Sequence, residues 1–387
     1  MAEPTTPADP AIEPSAVRAA RKDQHLALAG DQARAGARRN EFDDVELIHH
    51  ALAGIDVASV STATRIAGRT WPMPFYINGM TGGTDTTARV NRDLAIAARE
   101  TGIAMGVGSM SVALDHPETA AGFTVIREEN PDGFVMANLG AGRSARDALA
   151  AVELISADAL QLHVNVVQET VMPEGGRDFS AWPEEIREII ETVPVPVVVK
   201  EVGFGLSRRT LTHLGTLGAA YADVSGTGGT DFVRIENDRR DGRDFAYLNG
   251  FGQSAVTSLL DAPDAAERPE LLASGGVRTP LDVIRALALG ARAVGVAGTF
   301  LRPVLDGGAD ALIPVITLWQ EHVRQLQAML GAATPADLPR TDLLLRGRVG
   351  EYCTLRGIDA AAFTRRSETL PTAAAGHAAE TEPERTA

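Results

Sequence analysis

One alternation, repeated eight times, constrains this chain most: a short apolar run closing on small or polar residues, then a segment with helical spacing. The runs are 74–80, 104–110, 133–139, 159–165, 196–202, 221–225, 270–274 and 293–297. Val197-Val198-Val199 shows no polar alternation, as expected of a strand covered on both faces. In the spacers, Ser144 is an expected N-cap ahead of Ala148, Leu149, Val152 and Ile155, and residues 182–192 set acids against Ile186, Ile189 and Ile190. Thr279 and Pro280 form a cap and first-turn pair before Val283, Ala286 and Leu287, with Gly290 as the stop. The alternation predicts an α/β chain, a (β/α)8 TIM barrel in a single domain, with an open doubly wound sheet as the competing arrangement.

Such a barrel takes about 250 residues, and the chain has 387. The surplus is assigned to two tails expected to be disordered, 1–16 and 368–387, whose compositions bury too little apolar surface to offset chain entropy. The barrel domain then spans 17–367, and its charge-rich segment 231–250 reads as a lid. A net charge of −15 argues against nucleic acid or a membrane surface as partner. No apolar run approaches the ~20 residues of a membrane span, the acidic, Pro-rich start is unlike a signal peptide, and Cys353 is the one cysteine. A cytoplasmic enzyme is expected.

On this fold the chemistry sits at the carboxyl ends of the strands. The seventh run ends in Ser274-Gly275-Gly276-Val277-Arg278 and the eighth in Gly295-Val296-Ala297-Gly298. Glycines there admit an anion to backbone N–H groups, a helix N-terminus follows, and Arg278 adds a cation. The pair indicates a phosphorylated cofactor or substrate, against the plainer reading of tight turns.

Other runs end in Asn78-Gly79-Met80-Thr81-Gly82, Gly108-Ser109, Asn138, Lys200 and Ser225 to Thr230, a set suited to a flat heterocycle with several donors and acceptors. A lysine after three valines is nearly buried and needs an anion. Pairing with Glu201 or a nearby aspartate is the structural alternative. The fourth run places Gln161, His163 and Asn165 on one face, with Gln168 and Glu169 just beyond. A carboxylate beside phosphate binders calls for a cation between them, so Glu169 is assigned to Mg2+, the alternative being a helix-start carboxylate. Arg21, Lys22 and His25 could clamp a diphosphate or form an exposed basic turn.

Together, RKDQH at Arg21, NGMTGG at Asn78, GS at Ser109, ANLG at Ala137, LHVNVVQE at Leu162, VKEVG at Val199, SGTGGT at Ser225, ASGGVR at Ala273 and VAG at Val296 resemble the type 2, FMN-dependent isopentenyl diphosphate isomerases, in the family's order and over almost the whole chain between the tails. The resemblance implies FMN held by Met80, Thr81, Gly82, Ser109, Asn138, Lys200, Ser225, Thr230, Gly276, Val277, Arg278, Ala297 and Gly298. It implies a prenyl diphosphate met by Arg21, Lys22, His25, Ser109, His163 and Gln168, with Glu169 on Mg2+. The catalytic candidates are Gln168, Glu169, Lys200 and His163. NAD(P)H as reductant and a homotetramer or homooctamer are further implications. The chain departs from the family at Met110-Ser111, where Gln then Arg is frequent, and at Gly250 to Ser254, in place of Trp-Gly-Ile-Pro-Thr. Another FMN-dependent prenyl-diphosphate conversion, an FMN-dependent barrel oxidoreductase and a non-catalytic binding protein stay open as alternatives.

Overall fold

The computed structural model describes residues 15–34, 39–240 and 242–369. The tails expected at the two ends lie almost wholly outside these residues; the first described helix is Ser15–Arg34 and the last Arg366–Thr369.

Eight parallel strands close into a barrel: β1 (Phe75–Ile77), β2 (Met105–Gly106), β3 (Val135–Gly140), β4 (Ala159–His163), β5 (Val197–Lys200), β6 (Tyr221–Asp223), β7 (Glu270–Ser274) and β8 (Ala293–Val296). Val294 of β8 lies opposite Phe75 of β1, which seals the ring. Each strand falls on a run expected from the sequence, and β3 extends one residue past its run. The open-sheet alternative is excluded by the closure.

The helices between strands form where their caps stand. Ser144 accepts a hydrogen bond from Asp147 N and opens the helix Ala145–Leu154. Thr279 accepts from Asp282 N, with Pro280 in the first turn of Pro280–Ala288. A cap of this kind contributes about 1 kcal/mol. Each helix turns an apolar face inward: Ile186 and Ile189 of Trp182–Thr192 are buried, as are Val283, Ala286 and Leu287.

The barrel interior is layered. Tyr76, Ala104, Met136, Ala159, Val198, Leu272 and Ala293 form a separate apolar cluster that joins strands across the barrel, as inward-facing residues do. A hairpin, Thr64–Ile66 with Arg69–Trp71, plugs the bottom: Trp71 packs on Tyr76 and Phe134 with ring centroids 5.6 and 4.9 Å apart. Its turn holds Ala67 and Gly68 at φ of 51° and 73°, the left-handed pair that a tight hairpin needs.

Two residues further along, the inward positions become polar or vanish: Asn78, Gly106, Asn138, Gln161, Lys200, Asp223, Ser274 and Gly295. The six with polar side chains are all buried. The floor of the barrel mouth is therefore a hydrogen-bonding surface resting on an apolar plug.

Two features connect distant parts of the chain. Val45–Leu47 pairs antiparallel with Leu343–Leu345. The helical stretch Gly298–Met329 breaks at Gly307–Gly308. Among the described residues no helix is long and apolar enough to cross a membrane.

Candidate active site

A cavity of about 1240 Å³ opens at the carboxyl end of the barrel. Among the residues expected at the site, Met80, Thr81, Ser109, Asn138, His163, Lys200, Ser225, Thr230, Gly276, Val277, Arg278, Ala297 and Gly298 line it, as do Arg21, Lys22, His25, Gln168 and Glu169. Gly82 does not. It is buried under Phe123, whose ring a Cβ would meet at 2.2 Å, so this glycine serves close packing behind the wall.

Lys200 ends β5 and is 6% exposed. Its Nζ makes one hydrogen bond, to the backbone oxygen of Glu201 at 3.3 Å. Among the described residues no carboxylate comes within 4 Å of it. The expected alternative partner is engaged elsewhere: Glu201 Oε2 accepts from the N–H groups of Gly203, Phe204 and Gly205. Burial lowers the lysine's pKa, and the charges of Asp223 and Glu201 oppose this. An ammonium with three donors and one weak acceptor, at the floor of a cleft, is suited to an anionic edge of a bound group.

Asp223, opposite Lys200 on the neighbouring strand, is wholly buried. It accepts from Tyr76 Oη at 3.0 Å, from Ser274 Oγ at 2.8 and 2.9 Å, and from Ser225 N at 3.0 Å. Beside this satisfied network lies Gln161, fully buried and with no partner for either amide atom among the described residues.

The glycine turns form a wall of backbone. A Cβ on Gly229 would lie 2.6 Å from Gly276 N, and one on Gly108 would lie 2.3 Å from Thr81 O. Asn40 ties the β6 and β7 loops together, with Nδ2 donating to Gly276 O at 2.7 Å. Arg278 lines the cavity, but its fork is held by Asp43 at 2.7 and 2.8 Å and by Asp282 at 3.0 and 3.2 Å. That contact holds the Asp43 carboxyl down to about 2. The guanidinium braces the loop, which leaves the glycine amides as the natural anion ligands.

His163 ends β4. Its Nδ1 lies 2.8 Å from Asn138 Oδ1, while Asn138 Nδ2 donates to Val107 O. That orientation of the amide makes Nδ1 the protonated nitrogen and turns Nε2 outward as an acceptor. Burial, then the charges of Lys200 and Lys22, push the imidazole pKa down to about 3.

At the rim, Asn165 Nδ2 donates to Glu169 Oε1 at 3.0 Å and Gly176 N to Oε2 at 2.8 Å. Each oxygen retains a lone pair for a hydrated cation. No group of three or more metal-ligating side chains occurs among the described residues, so a metal here would have to complete its shell with water and substrate oxygens. Gln168 Nε2 donates at 2.8 Å to Glu236, a residue the strand-end reasoning missed because it stands on the helix Phe232–Asp238 inside the lid segment. Burial alone would raise the Glu236 pKa, but His25, Gln168 and Arg239 outweigh it and hold the carboxyl down to about 2. His25 Nε2 lies 3.0 Å from its Oε1.

The profile of the FMN-dependent dehydrogenase family matches residues 25–165 and 127–345. Among solved structures, a mutant flavocytochrome b2 with benzoylformate superimposes with a TM-score of 0.61 at 18% identity, over 86% of this chain and 88% of that one. A mandelate oxidase with (S)-2-phenylpropionate does so with a TM-score of 0.54 at 19% identity, over 83% and 98%. At this identity the two establish the shared barrel alone. An isopentenyl-diphosphate delta-isomerase of Kitasatospora griseola is 57% identical over 90% of this chain and 95% of its own length. That of Streptomyces sp. strain CL190 is 54% identical over 91% and 96%. The chain therefore belongs to the FMN-dependent dehydrogenase family and, within it, to the isopentenyl-diphosphate delta-isomerases.

Proposed function

We propose that this protein interconverts isopentenyl and dimethylallyl diphosphate with reduced FMN, and that the residues lining the barrel mouth do so in the roles set out from the sequence. The observation that carries this reading is Lys200: a buried ammonium short of acceptors, walled by backbone glycine and facing a cavity large enough for a flavin and a small diphosphate. FMN in its reduced form would supply, at N5, a group able to give a proton to one end of an allylic system and take one from the other.

The chain's own residues then have distinct tasks. Gly276, Val277, Ala297 and Gly298 would present backbone N–H groups to the flavin phosphate. Met80, Thr81, Ser109, Asn138, Ser225 and Thr230 would bound the ring, and Lys200 would lie along its N1/O2 edge. Arg21, Lys22 and His25 would gather the diphosphate, with Ser109 and His163 beneath it. Glu169 would hold Mg2+ against the phosphate oxygens, and Gln168, oriented by Glu236, would guide the proton path. Retention of the diphosphate matters, since the allylic product carries a good leaving group. Closure of the segment around Phe232–Asp238 would exclude water from it.

The same reading includes NAD(P)H as reductant, a homotetramer or homooctamer, and a place in the cytoplasm. The barrel-oxidoreductase alternative is not supported by the relatives' names, and the loop after β6 carries no histidine to serve as a hydroxyacid base.

The test is anaerobic turnover of isopentenyl diphosphate with oxidised and with reduced FMN. Activity is expected only with reduced flavin and Mg2+, and is lost in Glu169→Ala with FMN still bound. Equal turnover with oxidised flavin would reject the scheme.

A further inference from the structure

Arg239 stands where three separate pieces of chain meet above the barrel mouth. Its Nη2 donates to Glu174 Oε1 at 2.6 Å, its Nε to Gln24 Oε1 at 3.2 Å and its Nη1 to Glu236 Oε2. The side chain is 11% exposed. Each of its two carboxylates also reaches a residue of the site: Glu174 Oε1 accepts from Arg21 at 3.1 Å, while Glu236 faces His25 and holds Gln168. Arg21, His25 and Gln168 thus lean on acids that Arg239 itself positions.

The first helix is held at other points as well. From residue 20 to His25 no side chain is buried. Leu26 enters the core, Gly30 sits against Leu305, and Asp23 accepts from Thr84 at 2.6 Å. The charged alternation Arg21, Glu174, Arg239, Glu236, His25 links the amino-terminal half of the helix to the far side of the cleft.

We propose that Arg239 is a positioning residue, a latch that seats the first helix over the barrel mouth and so presents Arg21, His25 and Gln168 to the substrate. This rests on the reading of Arg21 and His25 as diphosphate ligands. Only a planar, multiply donating cation satisfies the arrangement, because its three donors leave in three directions toward different elements. Without it, Glu174 and Glu236 face one another across the gap with less positive charge between them, and the amino-terminal half of the helix loses its Gln24 contact to the lid, while Gln32 keeps its hydrogen bonds with the Asp231 backbone.

The test compares wild type, Arg239→Gln, Arg239→Lys and Glu174→Gln as FMN-loaded holoenzymes. Amide exchange is followed in the first helix, and KM and kcat are measured for isopentenyl diphosphate. In Arg239→Gln, exchange across residues 20–34 is expected to rise by about tenfold or more, with KM rising by a similar factor and the flavin spectrum unchanged. Arg239→Lys, which keeps charge without the fork, should recover part of both, and Glu174→Gln should move them the same way by less. First-helix exchange at the wild-type rate in both Arg239→Gln and Glu174→Gln would overturn the latch. If wild type fails to isomerise the substrate, the proposed function falls while the exchange comparison still decides this point. If Arg239→Gln does not fold, Arg239→Lys and Glu174→Gln decide it.

Discussion

Lys200→Met separates a ligand-binding lysine from a structural one, because the two roles give opposite signs. Among the described residues Lys200 is almost fully buried, makes one long hydrogen bond and has no carboxylate within 4 Å. Its charge is therefore desolvated with little return. Methionine keeps the chain length and removes the charge. Asp223, the nearest structural candidate for a partner, keeps its hydrogen bonds from Tyr76, Ser274 and Ser225 after the change. Replacing a poorly compensated buried charge by apolar volume of similar size removes its desolvation cost, so stability should be unchanged or raised. The FMN-free variant should therefore melt at or above the wild-type temperature. A charge-assisted hydrogen bond to the flavin edge contributes about 1.5–3 kcal/mol, so FMN affinity should fall by roughly 10- to 150-fold. Thermal melts of the FMN-free protein and fluorescence titration with FMN measure the two arms. A loss of about 3 kcal/mol or more in FMN-free stability, with unchanged FMN affinity, would refute the reasoning and make Lys200 the cation of a structural pair.

Three other outcomes follow from the geometry. His163, whose pKa burial and the charges of Lys200 and Lys22 push down to about 3, must gain a proton for its Nε2 to donate to a diphosphate; calorimetry in buffers of different ionisation enthalpy should therefore show proton uptake on diphosphate binding at neutral pH, reduced in His163→Gln. Glu236 has a folded pKa of about 2, depressed from 4.5, so its contribution is fully present above about pH 4.5 and is lost as pH falls through about 2; acid unfolding of Glu236→Gln should be shallower in that window, by an amount on the order of 3 kcal/mol. Gly108→Ala would place a Cβ 2.3–2.5 Å from the Thr81 backbone, a contact no rotamer relieves; a destabilisation of roughly 2 kcal/mol or more with weakened FMN binding is expected in chemical denaturation and flavin titration.

The barrel was legible because its strands are buried on both faces. That requirement leaves continuous apolar runs, and all eight were found, with the caps at Ser144 and Thr279 marking helix starts. The strand-end residues were legible for a related reason: a polar side chain closing an apolar run, as at Lys200 or His163, has nowhere to point but the mouth. The bottom hairpin was not, because its turn is Ala67-Gly68 and carries no Asn-Gly or Asp-Gly signal. Nor was the strand pair Val45–Leu47 with Leu343–Leu345, whose partners lie nearly the whole chain apart.

The sequence by itself determined the fold, the carboxyl-end site and most of the groups able to touch a ligand, since periodicity and polarity are local and survive without coordinates. Tertiary structure alone decided which charges are spent and which are available. Arg278 reads as a phosphate ligand, and it lines the cavity with its fork also engaged by Asp43, 235 residues away. Gly82 packs behind the wall, Glu201 turns to its own loop and leaves Lys200 underpaired, and Glu236 and Arg239 gather the rim. The physical reason is that ionic partners are set by distances between side chains, and folding brings those together irrespective of their separation along the chain.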